Sequence, residues 1–125
     1  MTQKQEEDLR IVERKIMRTV LGPIKLNEHE YRRRTNEELA REMEIDVVRR
    51  IKQLRARWLG HVWRAGPGAV NYDVTEWRPG SGRRRGRPKS TWMKEVERDI
   101  RGTGENDWKQ KTSDRKLWNK ICDKV

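Results

Sequence analysis

The sequence contains no phenylalanine, one cysteine and two histidines. A single cysteine excludes an internal disulfide, so an intracellular, reducing environment is expected. A structural zinc site needs about four Cys or His ligands at set spacings, and Cys122, His29 and His61 are too few to supply them. The sequence therefore predicts neither a metal nor any other cofactor.

Long apolar runs are also missing. No stretch of about 18 apolar residues is present, so the sequence predicts no transmembrane helix and no membrane partner. The N-terminal stretch MTQKQEEDLR lacks the apolar core of a signal peptide. The sequence also shows no cluster of aspartates on a turn, no glycine-rich phosphate loop and no nucleophile with a positioned base. We therefore expect a protein that is not an enzyme.

Helical periodicity is the main pattern that the sequence does show, since apolar residues recur at steps of three and four. The predicted fold is all-α, with four to five short helices and a disordered or extended basic loop of Gly, Pro and Arg. The predicted segments are an N-terminal amphipathic helix (1–22), a polar linker with a short helix (23–45), a basic amphipathic helix (46–65), a flexible basic loop (66–89) and a C-terminal helical segment (90–125).

Capping residues mark where several of these helices begin. Thr35 lies three residues before Glu38, which is the spacing of a capping box. Asp46, Ser90 and Ser113 are the predicted N-caps of the later helices. The apolar stripe of the first helix is a candidate surface for weak self-association, and it consists of Leu9, Val12, Ile16 and Val20. The predicted apolar face of the third helix consists of Val47, Val48, Ile51, Leu54, Trp58 and Val62, with Leu59 beside them.

Positive charge is concentrated rather than spread along the chain. The formal net charge is +11, yet residues 1–48 hold 10 basic and 11 acidic side chains. Residues 49–64 and residues 78–89 each hold 6 basic side chains and no acidic one. Two such blocks favour a polyanionic partner, so RNA and/or DNA binding and a nuclear location are expected.

The second block reads RPGSGRRRGRPK. Its Arg85, Gly86, Arg87 and Pro88 resemble the core of an AT-hook, in which an extended peptide lies in an A·T-rich minor groove. A general phosphate-binding patch and a nuclear-targeting signal remain open alternatives. The tryptophans divide in two: Trp58 and Trp92 are predicted to pack in the core, whereas Trp63 and Trp77 flank the basic blocks and are candidates to stack on an unpaired base.

The candidate nucleic-acid-binding residues come from both basic blocks. They are Arg55, Arg57, Trp63, Arg64, Arg83, Arg84, Arg85, Gly86, Arg87, Pro88 and Lys89. Cys122 lies on an apolar helix face, which favours a packed thiol over a nucleophile.

Several motifs together resemble the C-terminal tail of non-LTR retrotransposon reverse transcriptases. They are ARWLGHVWR (56–64), EWRPGSGRRRGRPKSTWMKEVERDI (76–100), Trp108 and DRKLW (114–118). The segment LRIVERKIMRTVLGPI (9–24) resembles the region after the polymerase thumb. The chain departs from the usual pattern at TSDR (112–115) and at AGPGAVNYDVT (65–75).

This resemblance implies a fragment without the polymerase and endonuclease domains, in which the catalytic aspartates have no counterpart. It also implies a tail that engages RNA or target DNA, through Arg57, Trp58, Arg83, Arg84, Arg85, Arg87, Lys89 and Trp92. The resulting hypothesis is a non-catalytic nucleic-acid-binding remnant. The alternatives are a protein-interaction helical module and a degenerate reading frame without function. A third is a chain that carries the name RNA-directed DNA polymerase only because its parent family does.

Overall fold

The computed structural model describes residues 1–44, 46–78, 86 and 90–125. It is 67% helical, and seven helices and one two-stranded sheet lie in those ranges, so the predicted all-α class is confirmed. No helix in the described part of the chain is both long enough and apolar enough to cross a bilayer. The elements are α1 (Gln3–Leu21), β1 (Ile24–Lys25), β2 (Tyr31–Arg32), α2 (Asn36–Glu42), α3 (Val47–Ala65), α4 (Val70–Glu76), α5 (Trp92–Arg101), α6 (Trp108–Lys111) and α7 (Arg115–Lys124).

The chain divides into two compact units, Met1–Arg50 and Ile51–Val125, with the division inside α3. In the first unit, α1 and α2 each begin with a capping box, formed by Thr2 with Gln5 and by Thr35 with Glu38. The second of these was predicted and is confirmed. Gly22 ends α1 with a φ of 68°, a conformation that glycine adopts without strain.

The segment between α1 and α2 contains a short antiparallel hairpin where the sequence indicated only an irregular polar linker. Its turn is closed by Asn27, whose Oδ1 accepts hydrogen bonds from the backbone N–H groups of His29 (3.0 Å) and Glu30 (2.8 Å). Each strand is two residues long, too short for alternation of apolar and polar residues to be visible in the sequence.

Helix α3 begins as predicted, since the Asp46 carboxylate accepts a hydrogen bond from the Val48 N–H at 2.9 Å. Its predicted apolar face was wrong at two positions, because the side chains of Leu54 and Trp58 are 49% and 51% exposed. Leu59 is buried beside this face as predicted, and Ala56 and Gly60 are buried as well. Small residues such as these two count little in a hydrophobic pattern, yet Trp118 of α7 approaches both closely.

The core of the second unit is built by α3, α5, α6 and α7. Its buried residues are Ala56, Leu59, Met93, Val96, Ile100, Trp108, Trp118, Ile121 and Cys122, with Trp63, Trp92 and Val125 partly buried against them. Trp92 therefore packs at the core as predicted. The two later caps are one residue beyond the predicted serines, because Thr91 caps α5 and Asp114 caps α7.

The predicted loop over 66–89 was wrong for its first part, where α4 is helical. Tyr72 of α4 lies against Trp63, with ring centroids 5.4 Å apart. That tertiary contact gives α4 a packed side that its weak periodicity did not reveal. Residues 79–85 and 87–89 lie outside the described residues.

Candidate nucleic-acid interface

Three arginines predicted to contact nucleic acid have partners within the second unit instead. Arg57 Nη2 donates to the Asp123 carboxylate at 2.6 Å, and Arg64 Nη1 donates to the backbone carbonyl of Thr112 at 2.9 Å. Arg55 lies 3.8 Å from a Glu95 carboxylate oxygen. These side chains tie α3 to α5 and to the C-terminal helices, which leaves them less available to phosphates than the charge pattern suggested.

Arg57 is the most constrained of the three. Its Nε is buried and has no hydrogen-bond partner among the described residues. The ion pair itself lies at the surface, since the Arg57 and Asp123 side chains are 37% and 59% exposed. Arg57 is therefore already engaged by Asp123, although an exposed pair of this kind contributes little to stability.

The Trp63 ring also packs against other side chains of the second unit. Its ring lies 5.3 Å from that of Trp108, in an edge-to-face arrangement, and contacts Tyr72 on α4. The Lys109 Nζ lies 4.7 Å from the Trp63 ring centroid, within cation–π range. A base would have to displace these neighbours, so the prediction that Trp63 stacks on a base has no support in this geometry.

Of the remaining tryptophans, one contradicts its sequence-based assignment. Trp58, predicted to be buried, is half exposed, whereas Trp77, a candidate for base stacking, is 68% exposed. Trp108 and Trp118, for which no binding role was predicted, form the buried aromatic centre of the second unit at a centroid distance of 6.0 Å. Hydrophobicity alone does not distinguish these tryptophans, because all six have the same side chain and only tertiary packing separates them.

The candidate binding residues of the second basic block, including the AT-hook-like Arg85, Arg87 and Pro88, lie mostly outside the described residues, as do Arg83, Arg84 and Lys89. Gly86 is described and exposed, with a φ of 137° and open space where a Cβ would lie. That φ is one that side-chain-bearing residues rarely adopt, so the backbone at this position requires glycine for conformational rather than packing reasons.

The first unit contains a basic surface that the sequence analysis missed. We call it the basic concavity; it is an open depression of about 550 Å³ whose lining includes five cationic side chains and no carboxylate. The five cationic residues are Arg14, Lys15, Arg18, Arg33 and Arg34. Residues 1–48 are close to neutral in sum, so the charge count concealed this local excess of positive charge.

Two of these cations are fixed by hydrogen bonds between α1 and the segment before α2. Arg18 Nε donates to the backbone carbonyl of Arg34 at 3.4 Å, and another of its nitrogens donates to Asn36 Oδ1. Arg34 Nε in turn donates to the Gly22 carbonyl at 2.9 Å. Arg14 is paired with Glu7 at 2.8 Å. The signal in the sequence was the i, i+4 spacing of Arg14 and Arg18 together with the run Arg32–Arg34, but only the tertiary fold brings the two together.

The described residues contain no group of three or more His, Cys, Asp or Glu side chains arranged to hold a metal ion. Cys122 is fully buried. Burial raises the pKa of its thiol from 9.0 to about 11, so the thiol stays protonated at neutral pH. The interpretation of Cys122 as a packed core residue is confirmed.

Comparison with known proteins adds no relative: no protein family, no curated protein and no solved structure matches this chain.

Proposed function

We propose that this chain is a non-catalytic nucleic-acid-binding remnant of a non-LTR retrotransposon reverse transcriptase. It binds the phosphates of RNA or DNA and performs no chemical step. The observation that carries the proposal is the basic concavity, where five cationic side chains line one depression without a carboxylate. The relationship to reverse transcriptases rests on the sequence motifs alone.

The concavity suits a sugar-phosphate backbone better than a single small anion. Arg18 and Arg34 are held in place by backbone carbonyls, which lowers the entropy lost when a phosphate binds. Lys15 and Arg33 are both exposed, and neither side chain has a hydrogen-bond or ion-pair partner among the described residues. Cations spread over an open surface neutralise several phosphates and release their counterions, which is the main source of nonspecific affinity.

The second part of the proposed interface is the segment 78–89, with 6 basic and no acidic side chains. Helix α3 contributes less than its charge suggests, because Arg55, Arg57 and Arg64 already have partners within the chain. We therefore assign the phosphate contacts chiefly to the basic concavity and to segment 78–89, and only secondarily to block 49–64.

The test compares three double variants that each remove two positive charges. Lys15→Gln with Arg33→Gln removes two of the five cations of the concavity, and Arg85→Gln with Arg87→Gln removes two of the six in segment 78–89. Lys116→Gln with Lys120→Gln is the control on the exposed side of α7. Fluorescence anisotropy with a labelled oligonucleotide measures each Kd across salt. The first two variants should weaken binding on the order of tenfold and make the slope of log K against log salt less negative by about 2.

The control pair changes the net charge by the same amount on a surface outside the proposed interface. It should change the slope by less than about 0.5, because long-range charge effects are screened within roughly 10 Å at moderate salt. Equal losses in all three variants would show a response to net charge alone and would refute the proposed interface.

One observation favours a second candidate, a protein-interaction module. The apolar stripe of α1 is exposed at Val12 (52%), Ile16 (56%) and Val20 (71%), and α1 has no buried residue. A stripe of this kind can pair with another helix or with a second copy of the chain. On this alternative, concentration-dependent self-association would persist in all three charge variants, and heparin would compete for the basic surfaces as well as RNA does.

A further inference from the structure

A cleft lined by tryptophans lies in the second unit, apart from the basic concavity. Its volume is about 350 Å³, and it is bounded by Trp58 of α3, Trp77 and Arg78 after α4, and Thr91 and Trp92 at the start of α5. We call it the tryptophan cleft. All of these residues belong to one compact unit, and half of the six tryptophans of the chain line this one depression.

Two of the three indole rings are largely exposed and pack against few neighbouring rings. Trp77 is 68% exposed, and within the described part of the chain no ring contacts it. Trp58 is 51% exposed and has one ring neighbour, His61, at 5.1 Å and 31°. Trp92 also lines the cleft and is partly buried against the core. Large apolar rings gathered in one exposed depression are typical of a binding site rather than of an ordinary surface.

The cleft also contains the residues that flank the most basic stretch of the sequence. Arg78 and Thr91 both line it, and they come directly before and after residues 79–90 in the chain. That stretch and Arg78 together supply 6 basic side chains and no acidic one. Arg78 is oriented by its own chain, because its Nη1 donates to the carbonyls of Thr75, Glu76 and Trp77 at 3.2 to 3.3 Å.

We infer that the tryptophan cleft binds an unpaired base of a single-stranded nucleic acid, stacked on Trp77 and Trp58. This inference rests on the proposed function, because the basic residues that follow Arg78 in the sequence are the phosphate contacts proposed above. Every base has a π-face, so stacking on tryptophan tolerates any sequence. A base inside a duplex is already stacked and cannot enter, so the cleft gives preference for single strands.

A proline-rich peptide is the other ligand that aromatic clefts commonly bind. Such a peptide gains nothing from the six cations of 78–89, whereas a nucleic acid carries a phosphate at every residue. Charge complementarity therefore favours the nucleic acid, and the peptide serves as a competitor in the test.

The experiment uses the full chain with a single strand of about 12 nucleotides and a duplex of the same length. Trp77→Ala should weaken single-strand binding roughly tenfold and leave duplex binding within about twofold, since only stacking is lost. The salt slope should not change, because no phosphate contact is removed. Trp77→Phe should recover part of the affinity, and addition of the single strand should quench the tryptophan emission of the wild type more than that of Trp77→Ala.

Trp58→Ala is the second variant, on another element and with a half-exposed ring, and it should show the same selective loss. If both variants bound the single strand as tightly as the wild type does, the stacking site would be overturned. The proposed function would still stand in that case, provided that the binding weakened with salt. No binding of either nucleic acid by the wild type at low salt would overturn both. Quenching by a proline-rich peptide but not by the oligonucleotide would assign the cleft to a protein partner and overturn the inference.

Discussion

Gly60 is the single residue on which the packing of the second unit depends most directly. Trp118 of α7 lies across α3 at this position, and its Nε1 donates to the Ala56 carbonyl at 3.2 Å. A Cβ at Gly60 would lie 2.0 Å from Trp118 Nε1 and 2.5 Å from Cδ1. The indole is fully buried, so it has no room to move away.

Gly60→Ala should therefore destabilise the second unit, although alanine is the better helix former by about 1 kcal/mol. Overpacking of a buried ring costs about 3 kcal/mol, so the net loss is about 2 kcal/mol. For a unit of this size that corresponds to a Tm lower by roughly 10 °C in calorimetry. The matched control is His61→Ala, an exposed neighbour in the same turn, which should change stability by less than about 0.5 kcal/mol. An unchanged or higher Tm for Gly60→Ala would contradict the close approach of the two helices.

The roles of individual side chains were the least predictable feature of the sequence. Arg57 and its partner Asp123 are 66 residues apart, and no local pattern connects them. The tryptophans show the same difficulty: Trp58 was assigned to the core and is exposed, while Trp63 was assigned to binding and is packed. Such assignments depend on which faces of the helices meet, and periodicity fixes a face only to within about a third of a turn.

Among the elements, α2 and the preceding hairpin are joined by Glu38. Its carboxylate accepts two hydrogen bonds from Arg32 of β2, at 2.5 and 3.0 Å, and one from the Thr35 N–H at 2.9 Å. Chiefly because of the bonds from Arg32, and then because of Thr35, the pKa of Glu38 is lowered from 4.5 to about 2. One carboxylate thus caps α2 and holds a strand of the hairpin.

This lowered pKa predicts an acid-dependent stability of the first unit. A carboxylate whose pKa is lower in the folded state stabilises the fold fully above its unfolded pKa of 4.5 and ceases to do so as the pH falls to about 2. Glu38→Gln keeps an oxygen for the capping box but has no proton to gain. Wild type should therefore be the more stable above pH 4.5, and the difference should shrink between pH 4.5 and about 2.

The measurement is thermal unfolding of both proteins by circular dichroism over that pH range, with an NMR titration of the Glu38 side-chain carboxyl. A titration midpoint near 4.5, or a stability difference that does not depend on pH, would show that the Arg32 contact does not persist in solution.

Elements with local signals were predictable, and elements held by tertiary contacts were not. The capping boxes and the glycine ends of α1 and α5 lie within a few residues of sequence, so Thr35, Gly22 and Gly102 marked real boundaries. Helix α4 was missed because its packed side depends on Tyr72 meeting Trp63. The hairpin was missed because its strands are two residues long.

For the molecule as a whole, the sequence predicts the total charge securely, but it does not predict where on the surface the positive charge is concentrated. The net charge of +11 is fixed by composition, whereas the basic concavity arises where α1 and the segment before α2 converge. Acidic residues in the same stretch of sequence do not line it, although Glu7 pairs with one of its cations, Arg14, and the Glu13 carboxylate accepts a hydrogen bond from the Val47 N–H. A charge sum over the segment therefore misses a surface that is lined mainly by its cations.

The most direct measurement is the affinity of the wild-type chain for duplex DNA as salt is raised from about 50 mM to about 400 mM. If the clustered cations neutralise about six phosphates, log K should fall with log salt with a slope near −5. A slope near zero, or the absence of binding at the lowest salt, would contradict the proposal that these cationic surfaces bind a sugar-phosphate backbone.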